Sequence, residues 1–244
     1  MLFVIVFFFA HWYLSLFAQT FFHHRYAAHQ MFSMSPFWEK FFFVYSYFVQ
    51  GSSYLSPYVY GAMHRMHHAY ADTELDPHSP KYDSGMMKMM MRTRKVYLDI
   101  ERKITPNVGS FYKNLPTWEW FDKMASSKLN RLVWILIYIA LYVAFAPSLW
   151  WLLVVPLHII MGPLHGVVIN WFAHKYGYIN FEVKDTSKNL MPVDILMLGE
   201  GFHNNHHKYG ARPNFGVKWF EIDPVYPFIW LFDKVGIVKL ARQV

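Results

Sequence analysis

The chain has 244 residues, which suits one domain at about 150 residues per domain. Hydrophobic residues are 55% of it and aromatics 20%, while Asp, Glu, Lys and Arg are only 16%, against about 25% in soluble proteins; that excludes intrinsic disorder. Cysteine is absent, which excludes a disulfide scaffold, a thiolate metal site and a thiol nucleophile.

From the N-terminus, Met1 to Phe22 carries no Lys or Arg, the first being Arg25. As a helix it rises about 33 Å, enough for one bilayer crossing. It has neither the basic start nor the small-residue cleavage site of a signal peptide, so it is read as a retained span. Residues 37–60 are apolar but interrupted by Glu39, Lys40, Gln50 and Gly51-Ser52-Ser53, a pattern that fits an interfacial helix. Residues 61–131 are polar, and Lys81 to Arg131 holds eleven basic and five acidic residues, a balance of +6. Met86 to Arg92 mixes Met with basic residues as a membrane-surface helix does. The next 43 residues, 132–174, have no Lys or Arg, which leaves room for two spans of about 20 residues. Ala146-Pro147-Ser148 supplies the turn, giving a hairpin over 132–146 and 149–172. Residues 173–244 form a second polar block. The positive-inside rule puts both blocks in the cytoplasm. Their basic surface suits anionic lipid headgroups, and no nucleic acid is expected as a partner.

Histidine is the other signal. Nine of the 14 fall in four clusters: His24 and His29; His64, His67 and His68; His174, with Asn170 one turn before it; and His203, His206 and His207. In the second and last clusters the spacing i, i+3, i+4 puts all three rings on one helix face. His24 and His29 are five apart, about 140° around an α-helix, so they either meet at a helix end or serve two ions. Neutral imidazole is the commonest metal ligand, and an all-imidazole set suits iron, zinc or copper. Nine ligands exceed the capacity of one ion, so two metals are implied. Zinc hydrolysis is disfavoured, because no HExxH motif supplies a base. His11, His23, His78, His158 and His165 belong to no such cluster and read as structural.

HRYAAH (24–29), HRMHHAYADTELDPHSP (64–80), NWFAH (170–174) and GEGFHNNHH (199–207) together resemble the membrane fatty-acid desaturases, with the Δ9 acyl-CoA, stearoyl-CoA type as the most similar branch. The resemblance implies two non-haem irons ligated by His24, His29, His64, His67, His68, His174, His203, His206 and His207, with Asn170 holding an iron-bound water. It implies O₂-dependent removal of two hydrogens from a long saturated acyl chain, leaving a cis double bond. An external donor such as cytochrome b5, ferredoxin or a flavin-linked reductase would supply two electrons. Two features depart from the family pattern. Three spans are counted where the family usually has four. Tyr60-Gly61-Ala62-Met63 stands where animal acyl-CoA members have Trp-x-Arg-Asp, which leaves acyl-CoA and lipid- or carrier-linked chains both open.

The expected fold is a single all-α integral membrane domain over 1–244. It has about three transmembrane helices, interfacial helices and a cytosolic histidine-rich cap holding a di-metal site. A membrane di-iron fatty-acid or lipid hydroxylase is the alternative within this chemistry. A metal transporter or haem protein needs ligands at bilayer depth, and only His11, His158 and His165 qualify.

Overall fold

A computed structural model of the chain describes residues 1–104 and 109–241. It is mostly helical. The first helix, α1 (Leu2–Phe17), continues without a break into a π-helical segment, Ala18–Ala28. Together they form a 27-residue apolar helix long enough to cross a membrane. The expected span of 1–22 is therefore too short at its C-terminal end, because the polar residues from His23 onward find partners inside the protein and the helix has no reason to stop.

A short strand, β1 (Phe32–Met34), follows, and then α2 (Pro36–Gln50). Ser35 caps α2 through the Trp38 N–H, with Pro36 in its first turn, the usual N-terminal chemistry. The helix stops at Gly51, not at residue 60 as expected. Gly51 has φ +52°, and a Cβ there would collide with the Tyr138 hydroxyl. Ser56 and Pro57 then start a new helix, α3 (Pro57–Tyr70), which carries the second histidine cluster. The Met-rich segment forms α4 (Met86–Glu101), and α5 (Glu119–Ala125) leads to the second candidate span, α6 (Lys128–Phe145).

The segment expected to cross as one helix over 149–172 is broken. Residues Leu149–Ile159, ending in α7 (Val155–Ile159), meet Met161–Phe172, beginning with α8 (Met161–Val167), at 61°. The reason is local. Pro163 removes an N–H and its ring opposes the carbonyl four residues back, and Ile160 adopts φ −106°, ψ 17° at the break. The described residues thus contain two helices long and apolar enough to cross a membrane, or three if the bent pair counts as one.

Inside this bundle His11 Nδ1 lies 2.6 Å from His158 Nδ1, and the Tyr142 hydroxyl lies 2.8 Å from His158 Nε2. These contacts pair polar atoms within the apolar bundle, where an unpaired polar group is costly.

Beyond the spans the chain folds back on the π-helical segment. The short helix α9 (His203–Lys208) and the amphipathic α10 (Tyr226–Lys234) flank a long irregular stretch. The strand β2 (Val238–Leu240) pairs antiparallel with β1, Phe32 opposite Leu240. Phe21, Phe22, Phe32, Phe43, Phe202 and Phe215 form the buried core between these parts, and their contact fixes the third histidine box over the first.

Candidate metal centre

The structure gathers the nine clustered histidines into two groups. His24, His29, His64, His68 and His206 form one, and His67, His174, His203 and His207 the other. Within each group every residue offers a ring nitrogen, all within 4.8 Å of one another. The boxes do not map one to one onto the groups. In the second box the i and i+4 rings, His64 and His68, join the five-histidine cluster while His67 joins the other. In the third box His203 and His207 join the four-histidine cluster while His206 crosses over. A helix face about 100° wide is broad enough to present its rings to two points, and α3 and α9 interleave them.

The first box reaches a single cluster because its backbone is π-helical. His174 sits beyond a second π-helical turn, Val168–Phe172, which ends the broken helix pair. Asn170, half-buried on that turn, lines the same cavity as His64 and His203.

The ring nitrogens facing away from the clusters show what the site is built for. His24 Nδ1 is 2.6 Å from Glu200 Oε2, His67 Nδ1 is 2.9 Å from Asp76 Oδ1, and His207 Nδ1 is 2.9 Å from Asp185 Oδ2. His174 Nδ1 contacts Thr186 Oγ1 at 3.3 Å, and that hydroxyl donates to Asp72 Oδ2 at 2.7 Å. Burial opposes the charge on these carboxyls, yet hydrogen bonds and the nearby histidines hold Asp72, Asp76, Asp185 and Glu200 below the usual carboxylate range. An ionised carboxylate only accepts, so His24, His67 and His207 carry their proton on Nδ1.

Their Nε2 atoms face the clusters and point at one another. His67 Nε2 and His207 Nε2 are 3.3 Å apart. His68 Nε2 lies 3.0 Å from both His64 Nε2 and His206 Nε2. Neutral rings that converge in this way offer lone pairs to a cation set between them. Burial and mutual proximity hold His29, His64, His68, His203 and His206 well below the ordinary imidazole value, so they are neutral imidazoles. The donor set therefore fits two borderline transition-metal ions, with carboxylates behind the ligands orienting them.

Arg25, inside the first box, is fully buried. It pairs with Asp223 at 2.7 Å, approaches Glu200 at 3.7 Å, donates to the Pro213 carbonyl and stacks on Phe215 at 3.9 Å. It ties the first span to the loop bearing the third box. Asn204 and Asn205 hold the segment 180–189 against α9 through Asn180, Phe181, Ser187 and Asn189, which delivers Asp185 to His207.

Spacing gave no role to these carboxylates, although Asp72 and Asp76 follow the second box and Glu200 stands three residues before His203. Asp185 has no such signal. Of the histidines read as structural, His23 has its two ring nitrogens 3.1 and 2.8 Å from the Ala18 and Leu55 carbonyls. His78 instead joins the site: its ring is 4.3 Å from that of His67, and with Asp76 it forms a third group of closely placed donors.

A cavity of about 580 Å³ opens beside the clusters. His24, His64, His203 and Glu200 form one part of its wall, Leu16, Met63, Ile169 and Met197 an apolar part, and Met87, Met90 and Met91 of α4 another. Arg94, Arg102, Lys128 and Arg131 also border it.

A family model described as fatty acid desaturase matches residues 1–233. Among similar curated proteins, the Delta-9 desaturase-like 3 protein of Arabidopsis thaliana is 27% identical over 247 residues, covering 92% of this chain and 73% of that protein. The sn-1 stearoyl-lipid 9-desaturase of Synechocystis sp. is 29% identical over 224 residues, with 88% and 64% covered. Acyl-CoA 5-desaturase AL21 of Anemone leveillei is 28% identical over 238 residues, with 94% and 69% covered. The match runs through all four histidine clusters and both candidate spans, and the chain belongs to the fatty acid desaturase family.

Proposed function

We propose that the protein is an integral-membrane oxidoreductase that uses O₂ to introduce a cis double bond, at position 9, into long saturated acyl chains of C16 or C18. It would hold two irons on the nine histidines, with a water on Asn170. The balance is one acyl CH₂–CH₂ unit, one O₂, two electrons and two protons giving CH=CH and two waters. A cytochrome b5, a ferredoxin or a reductase would bring the electrons. The observation that carries this reading is the pair of buried clusters of converging imidazole lone pairs opening on a largely apolar cavity.

The irons, when bound, supply O₂ reduction and hydrogen removal. The chain's own residues do the rest. Glu200, Asp76 and Asp185 keep the proton of their histidines on Nδ1 and so aim Nε2 inward. Leu16, Met63, Ile169 and Met197 exclude water around an acyl chain. Arg94, Arg102 and Lys128 suit the phosphate of the group carrying the acyl chain, whether coenzyme A or a lipid. Three crossings, with the bent pair counted as one, leave the boxes on the cytoplasmic side in a single 1–244 domain, as the basic blocks favour.

The test is gas chromatography and mass spectrometry of total fatty acids from a host expressing the chain with an active donor system. A new cis-monounsaturated C16 or C18 acid, two hydrogens lighter than its precursor and dependent on O₂, is expected. Unchanged acyl composition, or a hydroxy acid one oxygen heavier, overturns the reading.

A further inference from the structure

The two clusters differ in the charge that stands behind their rings. In the four-histidine cluster, His67 and His207 each donate to a carboxylate, Asp76 and Asp185. His174 reaches a third, Asp72, through Thr186 and lies 3.9 Å from it directly. In the five-histidine cluster only His24 meets a carboxylate among the described residues, Glu200, and Arg25 shares that carboxylate at 3.7 Å. A second guanidinium, Arg65, donates to the Ala27 and Ala28 carbonyls immediately before His29, at 3.0 and 2.6 Å. One cluster is therefore backed by three carboxylates, one of them through Thr186, and the other by Glu200 alone, with Arg65 and the Asp223-paired Arg25 beside it.

We infer that the two clusters take metal unequally: the site of His67, His174, His203 and His207 binds the first divalent ion, and the five-histidine site binds the second. This rests on the two-metal reading above. Ligand count alone points the other way, since five imidazoles outnumber four. Charge decides against it. A carboxylate behind a ligating histidine raises the basicity of the ring and fixes its tautomer, and losing one costs roughly 10–100-fold in metal affinity. The four-histidine site has two more carboxylates behind its rings, one of them acting through Thr186, while Arg65 places positive charge beside the other site and Arg25, shared between Asp223 and Glu200, draws on its one backing carboxylate.

The experiment uses the full chain in detergent, stripped of metal and titrated with Co(II) alone, read by visible absorption and calorimetry. Two steps of one ion each are expected, at least about tenfold apart, and graded chelation should pause at one ion per chain. His207→Ala should remove the tight step and leave the weak one, and His29→Ala should do the reverse. Asp185→Asn should weaken the tight step by about 10–100-fold, whereas Glu200→Gln should weaken the weak one. A single step taking up two equivalents, or loss of the tight step in His29→Ala, overturns the inference and leaves the two-metal reading intact. Uptake of fewer than two ions by the unmodified chain overturns the two-metal reading itself. If the Asp185 variant does not fold, the chelation series on the unmodified protein and the two histidine variants still decide.

Discussion

The backbone N–H of His29 donates to the carbonyl of His24 at 3.1 Å, five residues back. That π-type bond closes the Ala18–Ala28 π-helical segment, whose wider turn lets rings that an α-helix would point about 140° apart meet in one cluster, with centroids 5.0 Å apart. π-turns of this kind occur mostly at functional sites. The turn is held from outside by α3, where Gly61 sits against the Ala27 backbone and a Cβ would lie 3.4 Å from the Ala27 carbonyl.

Ala27 is fully buried at that contact. Ala27→Leu should destabilise the protein by about 1–3 kcal/mol through overpacking, and the first and second boxes should move apart. A lower melting temperature in detergent together with less than two metal ions per chain is the expected result. Unchanged metal content would show that the turn is not what brings these boxes together.

Arg25 and Asp223 have no exposed side-chain surface. Arg25→Ala would leave Asp223, and in part Glu200, as uncompensated buried charge, at a cost of about 3–5 kcal/mol. Chemical denaturation of the variant measures this directly. Because the same guanidinium bridges the first span and the segment after α9, its loss should also release the third box. A change below 1 kcal/mol, with metal retained, would count against that bridge.

His174 lies outside the three obvious boxes but has its Nε2 3.0 Å from that of His203. His174→Ala should lose both activity and bound metal. Asn170→Ala should impair turnover more than metal content, since it is proposed to hold a water. His165 is nine residues before His174, about 13.5 Å along a straight helix, and His158 is engaged by His11 and Tyr142. Replacing either by Ala should leave metal content near that of the unmodified protein. Elemental analysis of the four purified variants checks the set. Full metal in the His174 variant, or loss confined to His165, would sink this assignment.

Burial and the charges that neighbouring rings would carry hold His29, His64, His68, His203 and His206 well below the ordinary imidazole value of 6.5. Below pH 6.5 the unfolded chain binds protons at these positions that the native protein refuses, so native stability is lost as pH falls. The metal-free protein should melt at a nearly constant temperature above about pH 7.5 and at progressively lower temperatures from pH 7 to pH 5. Protons compete with metal for the same nitrogens, so bound ions should be released in the same direction. A melting temperature that rises on acidification would contradict the buried neutral state.

Local features carried the parts of the protein that the sequence made legible. A charge-free run long enough to cross a bilayer is a property of consecutive residues, which is why the apolar helices Leu2–Ala28 and Lys128–Phe145 were legible in outline. His64, His67 and His68 share a helix face by spacing alone, as do His203, His206 and His207. Where spacing was the only guide, it stopped at the boundaries: Gly51 ended the third apolar stretch early, and Pro163 bent the last span, because a steric collision with Tyr138 and a missing N–H outweigh apolar composition.

Tertiary structure alone decided how the histidines are shared. His67 leaves its own box for the cluster of His203 and His207, and His206 crosses the opposite way, since a ring joins whichever lone pairs the packed helices bring within reach. Asp185 lies 22 residues before His207, and Glu200 lies 176 after His24. No period links such positions, yet these carboxylates orient the rings of the clustered histidines. The amino-acid sequence by itself determined the chemistry available, a membrane-bound set of imidazoles. Folding decided its partition into two unequal sites, because distance and charge act through space and not along the chain.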